Sequence, residues 1–375
     1  MIYLDNAATT PIHPEVITLI YKEMQDNFAN PSSTHALGRK AKSLVEQSRK
    51  NIAEYFSVTA SEVVFTAGGS EANNLILWNA VTQLGVKCII TSRLEHHAVL
   101  HTIGYLANTY GVQVRYAKLD KEGKIDYEYL ERSLADIPEK KMVSLMYVNN
   151  ETGVILDLEK VSQLTRQYDT IFHSDTVQGI GHYPINLKET PIDLMTASAH
   201  KFHGPKGVGF AIIRKGLPMK PIIHGGGQEH GMRAGTENVH SIAGMAKAME
   251  LSRKNVEEDN LHIKKLKNYF IDQLKKSFPN IAFNGSSDKN DTAIHILNVR
   301  FSKKYDMLLF KLDMAGIACS GGSACQSGSD QGSHVLKEIL NDNEVSKTSI
   351  RFSFSKFTTK EDLDQAIEKL KSIID

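Results

Sequence analysis

Lys201 closes the run Ser198, Ala199, His200, Lys201, directly after the apolar stretch Leu194 to Ala197 and before the turn Gly204, Pro205, Lys206, Gly207. A lysine on a solvated face lies among other charges, whereas this one is held between a strand-like run and a turn. Asp175 ends another apolar run, Ile171 to Ser174, so an amine and a carboxylate stand at the ends of two candidate strands. An amine so placed can form a Schiff base with a carbonyl compound and move protons. A carboxylate so placed can hold a protonated ring nitrogen. Taken singly, each has an ordinary account, a surface lysine and a helix-capping aspartate. Their surroundings decide between the two.

The elements that must position these groups alternate between short apolar runs and helical patterns, which predicts an α/β domain with a mostly parallel sheet. The strand candidates are Val63 to Thr66, Cys88 to Ser92, Gln113 to Tyr116, Met142 to Val148, Ile171 to Ser174, Leu194 to Ser198 and Val208 to Ile213. Leu37, Ala41, Leu44, Val45, Ile52 and Phe56 recur at helical spacing before the first of them, and Ala72 to Val81 reads as a helix after it. Past Gly244 the pattern changes to a charged amphipathic helix from about Val256 to Phe278. A strand, Ala293 to Val299, a Gly/Ser-rich loop, a strand, Ser349 to Ser355, and a closing helix with Leu363, Ile367, Leu370 and Ile374 complete a second, smaller α+β domain.

Polar residues out of keeping with a core follow these strands: Gly68, Gly69 and Ser70 the first, Glu95 and His96 the second, Asn149 and Asn150 the fourth, Asp175 and Gln178 the fifth, His200 and Lys201 the sixth. Open α/β sheets bind ligands outside the carboxyl ends of their strands, so these groups are expected to converge on one site. Gly69 and Ser70 open a helix, whose free N–H groups make a phosphate site. The sequence has no Gly-x-Gly-x-x-Gly and no Walker motif, which disfavours a dinucleotide or a nucleoside triphosphate. His96 offers a flat ring to stack on an aromatic cofactor. With Asp175 on a pyridine nitrogen and Lys201 as the amine, the set fits pyridoxal 5'-phosphate (PLP).

The 375 residues carry 44 basic and 43 acidic side chains, and the net charge of +1 gives no electrostatic footprint for nucleic acid or a membrane surface. No apolar run is long enough to span a bilayer, and Met1 to Thr10 lacks the pattern of a signal peptide, so a cytoplasmic protein is expected. The three cysteines, Cys88, Cys319 and Cys325, cannot all pair and lack metal-ligand spacing, which argues against a disulfide framework and a metal site.

The sequence resembles the cysteine desulfurases of the NifS/IscS group, PLP enzymes of fold type I within the class V aminotransferases. The resemblance runs from Tyr3 through Thr10 by way of Asn30 and Pro31, His96, Asn150 and Glu151, and Ser198 to Lys201. It continues through Gly225 to Gly227, Arg233 to Thr236, Ser323 to Cys325 and Ser349 to Ser355. It implies a large PLP-binding domain over 15–255 with a seven-stranded sheet, and a small domain formed by 1–14 and 256–375. Lys201 would carry the cofactor, Asp175 would pair with its ring nitrogen, and Gln178 and Asn150 would bond near its phenolic oxygen. Gly69, Ser70, Ser198 and His200 would contact its phosphate, with Thr236 contributed across a homodimer interface. Arg351 would clamp the substrate carboxylate with help from Asn30, a fork that lysine replaces poorly.

A cysteine separates this group from ordinary aminotransferases. Ser320 to Ser329 is too rich in Gly and Ser to pack tightly. Cys325 within it is, by the resemblance, the nucleophile that attacks the sulfur of PLP-bound L-cysteine, leaving a persulfide and releasing alanine. Cys88, inside an apolar run, reads as a small hydrophobe. Cys319 reads as a packing residue with an accessory thiol role open. Ser70 stands where many relatives have threonine and keeps the hydroxyl. The chain ends at Asp375 without the longer tail that some relatives use to dock a scaffold, while its cysteine loop has the length of those that hand sulfur directly to scaffolds. The expected activity supplies sulfur for iron–sulfur cluster assembly or thiolation. The alternatives are a selenocysteine lyase or another PLP-dependent aminotransferase of small amino acids and, from another class, a non-catalytic sulfur-carrier or regulatory partner.

Overall fold

The structure, a computed structural model, describes residues 1–289, 291–321 and 332–374. After a short strand β1 (Ile2–Tyr3) and two helices, α1 (Pro14–Asp26) and α2 (Ala36–Tyr55), the chain alternates strand and helix. The order is β2 (Val63–Thr66), α3 (Gly69–Thr82), β3 (Cys88–Thr91), α4 (His97–Tyr110), β4 (Gln113–Tyr116), α5 (Tyr127–Asp136), β5 (Lys141–Ser144), α6 (Leu158–Gln167), β6 (Ile171–Asp175), β7 (Leu194–Ser198) and β8 (Gly209–Ile213). These seven strands form one sheet in the order β2-β8-β7-β6-β5-β3-β4. Only β8 runs against its neighbours.

Both faces of the sheet are covered, which is why its strands are apolar at successive positions. Val63, Phe65, Ile90, Met195 and Ala197 point into a core with α2, α5 and α6, whereas Val64, Ile89, Leu194 and Ala211 point into another with α3 and α4. The alternation follows from the period of two along a strand.

The second part begins with α7 (Val239–Ser277) and continues through β9 (Ala282–Phe283), β10 (Ile296–Arg300), α8 (Leu308–Met314), β11 (Ile317–Ala318), α9 (His334–Ile339), α10 (Asp342–Val345), β12 (Ser349–Ser353) and α11 (Lys360–Ile374). A three-stranded antiparallel sheet, β12-β10-β9, packs with α11 and the second half of α7 around Phe270, Leu297, Phe352 and Leu363. Ile2 and Leu4 belong to this core, and β1 pairs with β11.

The expected strands lie near where the periodicity puts them, but β5 stops at Ser144 rather than Val148, and the short strands β1, β9 and β11 have no counterpart in the apolar runs. The long helix differs: it starts at Val239 rather than near Val256, and its 39 residues span about 58 Å. Gly244 is therefore no breaker. A Cβ there would meet Ile20 Cδ1 at 2.6 Å, so this glycine lets α1 lie close against α7.

Candidate active site

Because β8 opposes both β2 and β7, those two strands run the same way, and the carboxyl ends of β2, β3, β5, β6 and β7 share one edge of the sheet. A cavity of about 190 Å³ opens there. Its lining brings together Gly69, Ser70, His96, Asn150, Asp175, Gln178, Ser198, His200, Lys201 and Arg351, with Ala7, Ala8, Asn73, Met146, Val148 and Val177 between them.

One end of the cavity is the start of α3. The first N–H groups of a helix have no partner within it, and here they face a pocket that Ser198 and His200 also line. A Cβ on Gly69 would come within 2.7 Å of Val177 Cγ2, so the first turn approaches the β6 side closely only because residue 69 has no side chain. His200 Nδ1 pairs with Thr9 Oγ1 at 3.1 Å. Burial, aided by the charges of Lys201 and Lys206, pushes the His200 imidazole down to about 4.

Asp175 ends β6 and is 6% exposed. Its Oδ1 accepts from the Val177 N–H at 3.1 Å and its Oδ2 from the Asn73 amide at 2.8 Å. His96 is the N-cap of α4, its Nδ1 accepting from the Ala98 N–H at 3.1 Å. That bond leaves the proton of the neutral ring on Nε2, and burial lowers the imidazole's proton affinity. Its neighbour Glu95 accepts from Ser92 Oγ and the Met146 N–H through Oε1, while Oε2 has no partner among the described residues. Burial first and the Asp175 charge second push the Glu95 carboxyl up to about 8.

Lys201 sits in the one-turn helix Ala199–Lys201 that follows β7, and Nζ donates to the carbonyls of Ala7 at 2.6 Å and Ala8 at 2.8 Å. Gln178 Nε2 also donates to Ala7 O, at 2.8 Å. The N-terminal segment thus supplies backbone acceptors to the site. Arg351, on β12, enters from the second core and is 1% exposed. It donates through Nη1 to Asn150 O at 2.7 Å and through Nη2 to Asp5 Oδ1 at 3.0 Å, while Nε has no partner among the described residues. A buried guanidinium with an idle N–H beside a cavity suits a carboxylate.

The donor set fits PLP. The glycine-opened helix suits its phosphate, the Asp175 carboxyl its ring nitrogen, the His96 ring its aromatic face, and Lys201 its aldehyde.

Not every expected residue is in this cavity. Asn30 is exposed, its Oδ1 accepts from the Ser32 N–H in the turn leading to α2, and it does not line the pocket. Thr236 is exposed on a separate hollow of about 200 Å³ with Thr66, Glu229 and Arg233. Cys325 lies outside the described residues. Cys319 is half-buried, and its thiol is pushed up to about 12, by burial first and then by Asp5. Two residues of the site escaped the sequence reading. Asn73 lies four positions past Gly69, one turn deeper along α3, and an amide on the buried side of a helix was the available signal. Asp5, within the N-terminal motif, pairs with Arg351 and accepts from Ser320 Oγ at 2.8 Å. Nothing local to its sequence announces either contact.

Among the described residues no three His, Cys, Asp or Glu side chains are grouped to hold a metal ion, and no helix is long and apolar enough to cross a membrane.

A seven-stranded, mostly parallel sheet with a lysine, an aspartate and a helix N-terminus converging at its carboxyl edge defines a transferase-type fold. The family model for aminotransferase class V matches residues 2–366, and the chain belongs to that family. It is 40% identical over 379 residues to the cysteine desulfurase IscS of Dictyoglomus turgidum, covering 100% of this chain and 94% of the relative. It is 37% identical over 378 residues to the putative cysteine desulfurase IscS 1 of Bacillus subtilis, covering 100% and 98%. Among solved structures, a NifS-like protein superposes with a TM-score of 0.90 at 34% identity over 100% of this chain and 99% of its own. SspA in complex with cysteine superposes at 0.81 with 29% identity over 96% of this chain and 100% of its own.

Proposed function

We propose that the chain is a PLP-dependent L-cysteine desulfurase that moves the sulfur of cysteine onto Cys325 and releases alanine. The observation that carries this reading is the single cavity lined by Lys201, Asp175 and the buried Arg351. Relatives named cysteine desulfurase, similar over the full chain, and a neighbour solved with cysteine support it.

Lys201 would hold PLP covalently, Asp175 its ring nitrogen, Gln178 and Asn150 its phenolic side. Gly69, Ser70, Ser198 and His200 would hold its phosphate, with Thr236 reaching it from the other subunit of a homodimer. Bound there, PLP supplies the electron sink that an amino acid's α-carbon needs. The rest is the chain's own work. Arg351 would bind and orient the substrate carboxylate; Asn30, expected to help it, lies outside the cavity lining of this chain. His96 would lie along the cofactor's ring and offer its Nε2 proton, and Lys201 Nζ would move protons at the α-carbon. The Cys325 thiolate forms the new S–S bond as the C–S bond of cysteine breaks, and the sulfane sulfur then leaves to an acceptor, such as an iron–sulfur scaffold. A thiol that must stay reduced suits the cytoplasm. The same reading divides the chain into a large domain, 15–255, and a small one, 1–14 with 256–375, and the second core with Ile2 and Leu4 in it supports that division.

The test is direct. Protein loaded with PLP should show an absorption band that Lys201→Ala abolishes together with turnover. A borohydride-reducible covalent PLP adduct in Lys201→Ala would overturn the assignment.

A further inference from the structure

The Asp175 carboxylate can hold a ring nitrogen only if it is aimed at it, and a buried carboxylate needs donors in place of the hydration it has lost. Asp175 has two such donors, the Val177 N–H on Oδ1 and the Asn73 amide on Oδ2. The first is backbone and comes with the turn after β6. The second is a side chain, 1% exposed, carried in from a different element, α3.

Asn73 is itself fixed. Thr196 Oγ1 donates to Asn73 Oδ1 at 3.3 Å, which leaves the NH₂ end, not the oxygen, turned to the carboxylate. Thr196 and Asp175 are register partners on the adjacent parallel strands β7 and β6, so their side chains stand on the same face. Asn73, packed over that face, bridges both. Since α3 also opens the phosphate end of the cavity with Gly69, one helix would set both the phosphate and, through Asn73, the carboxylate.

We propose that Asn73, locked by Thr196, is a positioning residue that keeps Asp175 aimed at the cofactor's ring nitrogen. This rests on the PLP reading above. Losing a hydrogen bond to a buried charge lowers turnover roughly ten- to hundredfold. The ring nitrogen should lose its proton more readily once the carboxylate is no longer held against it.

The experiment uses holoenzyme loaded with PLP labelled with ¹⁵N in the ring, and reads the nitrogen's chemical shift beside kcat and KM. Wild type should show a protonated ring nitrogen. The shape-matched Asn73→Leu should move the resonance toward the unprotonated position and lower kcat with little change in KM. Thr196→Val, which removes only the hydroxyl, should move it the same way by less, and it carries the test alone should Asn73→Leu fail to fold. Variants that bind PLP and keep the wild-type ¹⁵N shift would overturn the proposal. Wild-type protein that binds no PLP would overturn the functional reading first, and that sample reports it before any variant is made.

Discussion

Replacing Arg351 with lysine tests the substrate side of the site while sparing the fold. The guanidinium is 1% exposed and has two anchors, Asn150 O on Nη1 at 2.7 Å and Asp5 Oδ1 on Nη2 at 3.0 Å, with Nε unpaired among the described residues. Its backbone exchanges both hydrogen bonds with Ser320, which β12 geometry preserves whatever the side chain. Lysine keeps one positive charge for Asp5, whose side chain is 18% exposed, so the pair is not left as an uncompensated buried charge. What is lost is the planar fork, and with it one of the two N–H bonds a carboxylate can take. A charge-assisted bond is worth about 1.5–3 kcal/mol, so kcat/KM for cysteine should fall roughly ten- to hundredfold, chiefly through KM. Alanine release measured against cysteine concentration reads the loss, with cofactor absorbance and thermal midpoint as controls. An unchanged KM with a loaded, folded variant would refute the carboxylate role.

Three further outcomes follow from the same geometry. Gly69→Ala should weaken PLP affinity roughly tenfold or more, because its Cβ would lie 2.7 Å from Val177 Cγ2 and push back the first turn of α3; equilibrium titration with PLP checks it, and wild-type affinity would refute the crowding argument. Alkylation of native protein at mild alkaline pH should reach Cys325 first, since burial raises the Cys88 thiol and holds Cys319 up at about 12; peptide mapping that finds Cys319 modified ahead of it would refute this, as would a large activity loss in Cys319→Ser. Glu95 gives a pH signature. Its carboxyl is raised from 4.5 to about 8, so the folded state keeps a proton that the unfolded state has released. Its contribution is full below about 4.5, is lost as pH rises toward about 8 and is flat above, with a slope of ~1.4 kcal/mol per pH unit. Denaturation at several pH values should show a shallower decline for Glu95→Gln, and equal slopes would sink the reading.

The strands and the chemistry at their ends were legible because both follow local rules. A strand buried on two faces is a short apolar run, and a polar group that interrupts it at the carboxyl end has few structural reasons to be there. That logic found Gly69, His96, Asp175 and Lys201 before any contact was known. It missed Asn73 because an amide inside a helix looks like surface until the helix face is known, and the contact with Asp175 spans 102 positions. Asp5 escaped for the same reason at 346. Gly244 misled because the same residue type ends helices and lets them pack closely, and only the proximity of Ile20 separates the two uses. Asn30 and Thr236 rested on resemblance, and neither lines the cavity of this chain.

The most direct test of the central claim follows the sulfur. Holoenzyme incubated with L-cysteine and then separated from it should carry one sulfane sulfur on the peptide containing Cys325, with alanine formed in equal amount. A dithiol should then release that sulfur as sulfide. Cys325→Ser should bind PLP and cysteine yet yield neither the persulfide nor sulfide. Sulfide and alanine formed at the wild-type rate by Cys325→Ser, or a persulfide found on Cys319 instead, would contradict the account.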